Sequence, residues 1–328
     1  MSNQIRVAIA GYGNLGRGVE SALTQNPDMR LVGVFSRRDP ASVTLLDSNV
    51  PVYAMDTIEQ YQDEVDVMIL CGGSKTDLPE QGPYLAKFFD TVDSFDTHAK
   101  VPEYYAALDQ SARDAGRVAM LSVGWDPGLF SLNRLFGEAI LPEGETYTFW
   151  GKGLSQGHSD AVRRVPGVKS AVQYTLPSEE AIARVRSGEQ PELTTREKHK
   201  RECYVVLAEG AEADVVRESI VTMPDYFADF DATVNFIDQA TFAQDHSSMP
   251  HGGFVIRSGK TGTDSTQTIE YSLALGSNPE FTSSVLVAYA RAVYRLARVN
   301  DIGAKTVFDI APGLLSPKSP AQLRKELL

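Results

Sequence analysis

The chain of 328 residues has only two cysteines, Cys71 and Cys203, too few for a disulfide framework or a tetrahedral zinc site. Its histidines are equally sparse, and His98, His158, His199 and His246 show no paired metal-ligand spacing. No apolar run reaches the roughly 18 residues of a membrane-spanning helix, and there is no basic n-region followed by an apolar stretch. Neither a membrane span nor a signal peptide is expected, and the cytoplasm is the default location. Basic residues are in deficit, 31 against 43 acidic, for a net charge of −12. That disfavours nucleic acid as a partner, although a local basic patch can still bind phosphates. Repeats, low-complexity segments and long charge blocks are missing too. What remains is an ordinary globular composition, 42% hydrophobic and 23% charged, long enough for two domains with a full core each.

The most informative stretch is Ile5-Arg-Val-Ala-Ile-Ala-Gly-Tyr-Gly-Asn-Leu-Gly16. An apolar segment runs straight into Gly11, Gly13 and Gly16, and apolar residues then return at helical spacing. This predicts a buried strand, a tight turn and a helix start, with glycines where the backbone must approach something closely. Free amides and the positive end of the helix dipole point at such a turn. A dinucleotide pyrophosphate is its natural occupant, held by Gly11, Tyr12, Gly13, Asn14, Leu15 and Gly16. A second strand over 31–35 completes the βαβ unit. Where an NAD enzyme usually carries an acid for the ribose hydroxyls, this chain reads Ser36, Arg37, Arg38. Two guanidiniums and a hydroxyl suit a 2′-phosphate, so NADP is expected.

Residues 65–70 read as another strand, running into the small-residue loop Cys71, Gly72, Gly73, Ser74 at the sheet edge where such a cofactor lies. Cys71 reads there as a packing residue, since no neighbouring His argues for a thiolate. Residues 76–89 read as a helix and 90–98 as a strand ending in acids. Carboxylates beside a nicotinamide do not suit phosphates, so Asp96 is read as holding a substrate ammonium. For Asp93 that role and helix capping both stay open. A helix over 102–115 leads to 117–122, the last clear parallel strand, which closes in Val123-Gly-Trp-Asp-Pro-Gly128. Trp125 and Asp126 stand at the mouth of the sheet, an aromatic and a carboxylate able to shape and charge-pair an amine.

Beyond 128 the βα alternation stops. Residues 129–140 read as a connecting helix, 145–150 as a strand, and Gly151-Lys-Gly-Leu-Ser-Gln-Gly-His158 as a flexible polar loop. Strands over 172–176, 203–208, 231–237 and 267–275 suggest one mixed sheet, and 283–299 a long amphipathic helix. The expected fold class is α/β: an N-terminal Rossmann-type parallel sheet over 1–125 and a second, α+β substrate-binding domain over 126–284. Residues 285–328 are expected to pack back on the first. Three polar clusters in the second half can meet a ligand: Lys198-His-Lys-Arg201, Asn278-Pro279, and Met249-Pro-His-Gly-Gly253, where His251 sits in a loop built to approach one. By residue pattern alone the first reads as a solvated basic turn and the second as a turn or cap, while for His251 a ligand role and a structural one both stay open.

Together these pieces resemble the meso-diaminopimelate dehydrogenases of bacterial lysine biosynthesis, over nearly the whole chain. The likeness is carried by Gly11-Tyr-Gly-Asn-Leu-Gly16, Ser36-Arg-Arg38, Thr91-Val-Asp-Ser-Phe-Asp96, Gly124-Trp-Asp-Pro-Gly128 and Phe149-Trp-Gly151. It continues through Gly153-Leu-Ser-Gln-Gly-His-Ser-Asp160, Val172-Gln-Tyr-Thr-Leu-Pro177, His199-Lys-Arg201, Met223-Pro-Asp-Tyr226 and Met249-Pro-His-Gly-Gly253. The resemblance implies NADP-dependent, reversible oxidative deamination of the D-centre of meso-diaminopimelate, giving L-2-amino-6-oxopimelate, which cyclises to tetrahydrodipicolinate, and ammonia. It also implies a cytoplasmic homodimer, with dimerisation through the second domain and closure around the ligands.

On the family's pattern Asp96, Trp125 and Asp126 are the catalytic set around the reacting D-centre, completed by Trp150, Gln156 and Gly157. Thr175, Arg201, His251 and Asn278 match the clamp on the distal L-centre. Asp126 is the expected aid to amine deprotonation, and no metal is implied. The rivals are less well supported. A semialdehyde dehydrogenase wants a catalytic cysteine early in its second domain, whereas Cys203 falls in a strand pattern. A dihydrodipicolinate reductase wants a His-His-x-x-Lys cluster, which is missing. A D-amino acid dehydrogenase of similar layout stays open, and a silent NADP sensor would have no use for an amine pocket.

Overall fold

The computed structural model describes residues 4–263 and 265–328. The chain forms two compact units, one from the described residues up to Leu132 together with Pro279–Leu328, the other Asn133–Asn278.

In the first unit, strands β1 (Ile5–Ala10), β2 (Met29–Ser36), β3 (Val52–Ala54), β4 (Val67–Leu70), β5 (Thr91–Asp93) and β6 (Val118–Met120) are joined by β14 (Gly303–Lys305) from the far end of the chain. They form one sheet in the order β14-β6-β5-β4-β1-β2-β3, every neighbouring pair parallel. Strand β1 lies inside the sheet, between β4 and β2, and is apolar on both faces. Val7 and Ile9 enter one core with helices Asn14–Thr24 and Asn278–Arg298, while Ala8 and Ala10 enter another with helices Leu78–Leu85 and Val101–Ala115. A strand covered on both sides is what a parallel sheet demands. The strand order reverses between β1 and β4, and such a reversal opens a crevice at the carboxyl ends of the strands. This is the doubly wound Rossmann arrangement.

Sequence signals explain the covering helices. Helix Val101–Ala115 has proline in its first turn and ends on Gly116, whose φ of +67° is the left-handed cap that glycine supplies without strain. The long helix Asn278–Arg298 buries Arg291, whose guanidinium reaches Asp28 (2.6 and 2.8 Å), Asn26 Oδ1 and the Leu315 carbonyl. That network draws Asp28 below the usual carboxylate range and ties the segment at Leu315 to the turn between the first helix and β2. Strand β6 is therefore not the last parallel strand. Three residues were too short to announce β14 by pattern, and pairing with β6 makes it a strand. No helix among the described residues is long and apolar enough to cross a membrane.

The second unit contains β7 (Gly144–Trp150), β8 (Gly153–Leu154), β9 (Val168–Pro177), β10 (His199–Leu207), β11 (Asp231–Phe236), β12 (His251–Thr261) and β13 (Ser265–Leu275). They make two sheets where one was expected, β11-β10-β9-β8 and β13-β12-β7. Two segments expected as loops are regular. Within 151–158, β8 pairs with β9, and Gln156 starts the helix Gln156–Arg163. The segment at His251 opens β12, the central strand of its sheet. Its two glycines answer to crowding by neighbouring strands. A Cβ on Gly252 would lie 2.2 Å from the Leu273 carbonyl oxygen, and one on Gly253 2.1 Å from that of Phe149. Their φ values, +154° and +151°, exclude most side chains as well.

Candidate active site

At the carboxyl end of β1 the first unit holds a cleft of about 510 Å³. Of the residues expected at a cofactor, Gly11, Tyr12, Gly13, Asn14, Ser36, Arg37, Arg38, Cys71 and Gly72 line it. Leu15, Gly16, Gly73 and Ser74 do not. Leu15 packs on the core, and Gly16 lies within the first helix, glycine there because a Cβ would sit 2.4 Å from the Gly11 carbonyl oxygen. Gly73 donates its amide to Asp77, and Ser74 Oγ accepts the amides of Asp96 (2.8 Å) and Thr97. Gly11 is required by its own backbone, at φ +97° with the Cys71 carbonyl 3.3 Å from a would-be Cβ. Gly13 is different: a Cβ there would meet no protein atom within 4 Å. Its bareness leaves space in the cleft, which is what a pyrophosphate needs at a helix start. Burial pushes the Cys71 thiol far up, so it is no thiolate at neutral pH.

The two arginines after β2 differ in a way their sequence does not show. Arg37, largely exposed, is already paired in bidentate fashion with Asp77 (2.9 and 3.1 Å). Arg38 reaches the Tyr12 carbonyl (2.6 Å), and its amide is accepted by Ser36 Oγ. Arg38 is thus held by a neutral carbonyl and not by a carboxylate. Arg17 and Asp77 also line the cleft and were not expected there. Arg17 follows the glycine turn directly, a position that could have betrayed it; Asp77 comes from a separate turn and left no signal.

The acids at the later strand ends separate into two kinds. Asp96 is exposed and Asp126 half-buried, each in the loop that follows a parallel strand. Trp125 is buried, edge-on to Phe130 with ring centres 5.3 Å apart. The turn 124–128 needs glycine at its end, because a Cβ on Gly128 would lie 1.9 Å from the Gly124 carbonyl oxygen. Asp93 is fully buried, the last residue of a strand shorter than 90–98 suggested, and is bonded within the protein. It holds no ammonium, since no ligand reaches it.

In the second unit, one row crosses three strands: Gly153 on β8 opposite Thr175 on β9, and Thr175 opposite Arg201 on β10. Thr175 Oγ1 accepts from the Arg201 guanidinium, which lies over the Phe230 ring at 3.9 Å. The Arg201 Nε is buried with no hydrogen-bond partner, and among the described residues no carboxylate pairs with this cation. Burial draws Arg201 down to about 10. The His251 ring occupies the space where a Gly153 side chain would be, which explains that glycine, and its Nδ1 accepts the Gly252 amide (2.8 Å). Gln156 Nε2 lies 3.2 Å from Met249 Sδ, and the Asn278 amide donates to the Met249 carbonyl. Gly157, in the first turn of its helix, has open space at its Cα. Trp150 stacks on His199, ring centres 5.3 Å apart, and His199 Nε2 accepts the Trp150 amide at 2.9 Å. His199 is thus a buried structural residue at the start of β10, and the cluster 198–201 is no solvated turn. Phe230 went unread because an aromatic shelf under a cation has no local sequence mark.

The doubly wound sheet, its open glycine turn, the arginines after β2 and the aromatic–acid turn define an NADP-dependent oxidoreductase. The family model for the diaminopimelic acid dehydrogenase C-terminal domain matches residues 124–277. A meso-diaminopimelate D-dehydrogenase of Lysinibacillus sphaericus is 67% identical over 324 residues, 99% of either chain. Two solved structures align over 99% of this chain and all of theirs. One is a six-site variant of the Clostridium tetani meso-diaminopimelate dehydrogenase with DAP, at 54% identity and a TM-score of 0.93. The other is an engineered D-amino acid dehydrogenase bound to NADP+, at 48% identity and a TM-score of 0.85. The chain belongs to the meso-diaminopimelate dehydrogenase family.

Proposed function

We propose that the chain catalyses the reversible, NADP-dependent oxidative deamination of the D-centre of meso-diaminopimelate to L-2-amino-6-oxopimelate and ammonia. The observation that carries this reading furthest is Arg201. A desolvated guanidinium with a buried, unpartnered Nε and an aromatic shelf is costly unless a carboxylate completes it. A substrate with a second carboxylate, far from the one at its reacting centre, supplies that group. The Clostridium tetani variant adds support: the residues replaced in it are a Gln, Thr, Arg, Pro, His and Asn. The same types recur here, in the same order and spacing, at Gln156, Thr175, Arg201, Pro250, His251 and Asn278.

Each residue then takes a role. Thr175, Arg201, His251 and Asn278 hold the L-centre, Arg201 gripping its carboxylate with two parallel N–H bonds. Asp96 binds the D-centre ammonium. Asp126, less exposed to water beside buried Trp125, takes the proton the amine must lose before its α-hydrogen can leave. Gly11, Tyr12, Gly13, Asn14 and Arg38 hold the cofactor in the cleft. NADP held there would supply the acceptor for the two electrons that leave with the α-hydrogen. Loss of two electrons leaves an imine on the substrate; water adds to its carbon and the C–N bond breaks, releasing ammonia. Trp125, Trp150, Gln156 and Gly157 bound the reacting end. Presenting the L-centre instead would strand charged groups without partners, which sets stereochoice. We place the enzyme in the cytoplasm as a homodimer, with residues 126–284 binding substrate and dimerising; the family likeness supports this.

The test is NADP reduction with meso-, LL- and DD-diaminopimelate. Turnover is expected with the meso isomer; none, in protein that binds NADPH, would sink the proposal. Asp126→Ala should lose at least about 100-fold in kcat with NADPH affinity kept, and equal loss of both would contradict its role.

A further inference from the structure

Asp93 ends β5 with no exposed surface, yet it lies between the two loops that carry the acids assigned to the amine. One carboxylate oxygen accepts the amides of Phe95 (2.9 Å) and Ser122 (3.2 Å); the other accepts the Tyr104 hydroxyl (2.6 Å). Its backbone carbonyl takes the Val123 amide at 2.9 Å. Phe95 directly precedes Asp96, and Ser122–Val123 lead into Trp125 and Asp126. Ser122 also sits at φ +57°, a left-handed conformation that costs a non-glycine residue about 1 kcal/mol, so its amide is where it is only because something holds it.

The prop behind the carboxylate is built with equal care. Tyr104 comes from the helix Val101–Ala115, and its ring stacks on Phe95 with centres 4.2 Å apart. Its hydroxyl fits because Gly82, on helix Leu78–Leu85, is bare: a Cβ there would lie 1.9 Å from the phenol oxygen. Burial pushes the Asp93 carboxyl up to about 6 against the pull of all three donors. A core position kept acidic at that cost does more than fill space, for an apolar residue would pack there without it.

We propose that Asp93 is a positioning residue: through the amides of Phe95 and Ser122 it fixes the loops bearing Asp96 and Trp125–Asp126 relative to each other, and so sets where the reacting amine lies. The inference rests on the reading that Asp96 and Asp126 serve that amine. It needs no contact between Asp93 and substrate. A misplacement of about 1 Å at the reacting centre is worth roughly 100-fold in rate, so a tether common to both loops has leverage out of proportion to its own bonds.

The experiment compares Asp93→Ala, Asp93→Asn and Tyr104→Phe. It measures kcat and KM for meso-diaminopimelate, the NADPH dissociation constant by fluorescence, and the isotope effect with deuterium at the D α-carbon. Asp93→Ala should lower kcat by about 10-fold or more and raise the isotope effect, because hydride departure becomes limiting, with the NADPH constant within about 2-fold. Asp93→Asn should recover to within about 3-fold, since its amide oxygen still accepts both backbone amides and its NH2 can donate to the Tyr104 oxygen. Tyr104→Phe, which frees one carboxylate oxygen, should show the same signature at about 2- to 5-fold, and decides the matter if the alanine variant does not fold. Unchanged kcat and isotope effect, or NADPH affinity falling in step with kcat, would overturn the proposal. Asp126→Ala run alongside separates the two claims. If it keeps turnover, the reading of the amine end fails and this inference with it; if it loses turnover while the Asp93 and Tyr104 variants keep theirs, only the positioning role fails.

Discussion

Replacing Arg201 by methionine should separate recognition of the distal carboxylate from chemistry at the other end of the substrate. The guanidinium is half-buried over Phe230, bonded to Thr175, with Nε buried and unpartnered. Even drawn down to about 10 it stays cationic at neutral pH. A carboxylate arriving there makes charge-assisted bonds worth about 1.5–3 kcal/mol each. Removing the cation leaves the carboxylate desolvated and alone, a loss of about 2–5 kcal/mol. A value of about 3 kcal/mol corresponds to a little over 100-fold. The clamp is the same before and during hydride departure, so the loss should fall on KM far more than on kcat. Methionine fills the space and keeps a favourable contact with the ring beneath, so the strand row should survive.

Steady-state kinetics with two substrates gives the assay its force. For meso-diaminopimelate, kcat/KM should fall by about 100-fold, mostly through KM. For D-norleucine, which has an apolar end, the parent must bury an unpaired cation beside methylenes, and the variant need not. Its kcat/KM should therefore rise, by about 10-fold. Arg201→Lys should recover little of the first loss, since an ammonium cannot make the bidentate pair or lie flat on Phe230. Unchanged KM for meso-diaminopimelate in the methionine variant, or a fall for both substrates together, would refute the assignment of Arg201 to the distal carboxylate.

Two further outcomes follow from groups outside that row. Arg38→Ala should erode the preference for NADP over NAD by about 10-fold and Arg37→Ala by about 3-fold or less, because Asp77 already engages Arg37. Equal or reversed effects on the two kcat/KM values would contradict this. The second concerns acid. Desolvation, and then the nearby Arg201 charge, hold His158 and His199 at about 4, against an ordinary 6.5. An unfolded chain takes up those protons first, so stability should be full above about pH 6.5 and fall as pH drops towards 4, by up to about 1.4 kcal/mol per pH unit for each histidine. Neutral His199 accepts the Trp150 amide, which its protonated form cannot do. Urea unfolding at stepped pH should show the slope, and His199→Gln should reduce it; a flat profile in the parent would count against the buried neutral form.

What could be read without coordinates was whatever local pattern decides. Strand β1, the glycine turn and the helix after it are specified within twenty residues, by an apolar run and by backbone contacts the run itself creates. The pairing of β14 with β6 joins residues far apart in sequence, and no three-residue segment can announce such a partner. The division of 144–275 into two sheets was hidden for the same reason, since strand pattern says which face is apolar but not which neighbour is chosen. Among the acids, Asp93 and Asp96 look alike in sequence, and only burial tells the tether from the exposed carboxylate.

Glycine makes the limit plainest. Gly13 and Gly253 both stand in motifs that suggest a backbone making room for a ligand. At Gly13 the missing side chain leaves open space in a cleft; at Gly253 a Cβ would strike Phe149, on the neighbouring strand β7. The first residue is bare for something outside the protein and the second for the protein itself. His251 belongs to both cases at once. Its ring takes the space left by Gly153, which pairs with Thr175 and through it meets Arg201, so the histidine meets that row by packing from a strand of the other sheet rather than from a pliable loop. A side chain held that way has its orientation set before any ligand arrives, and side chains carried by paired strands lose less freedom on closing around a carboxylate than side chains on a loop would.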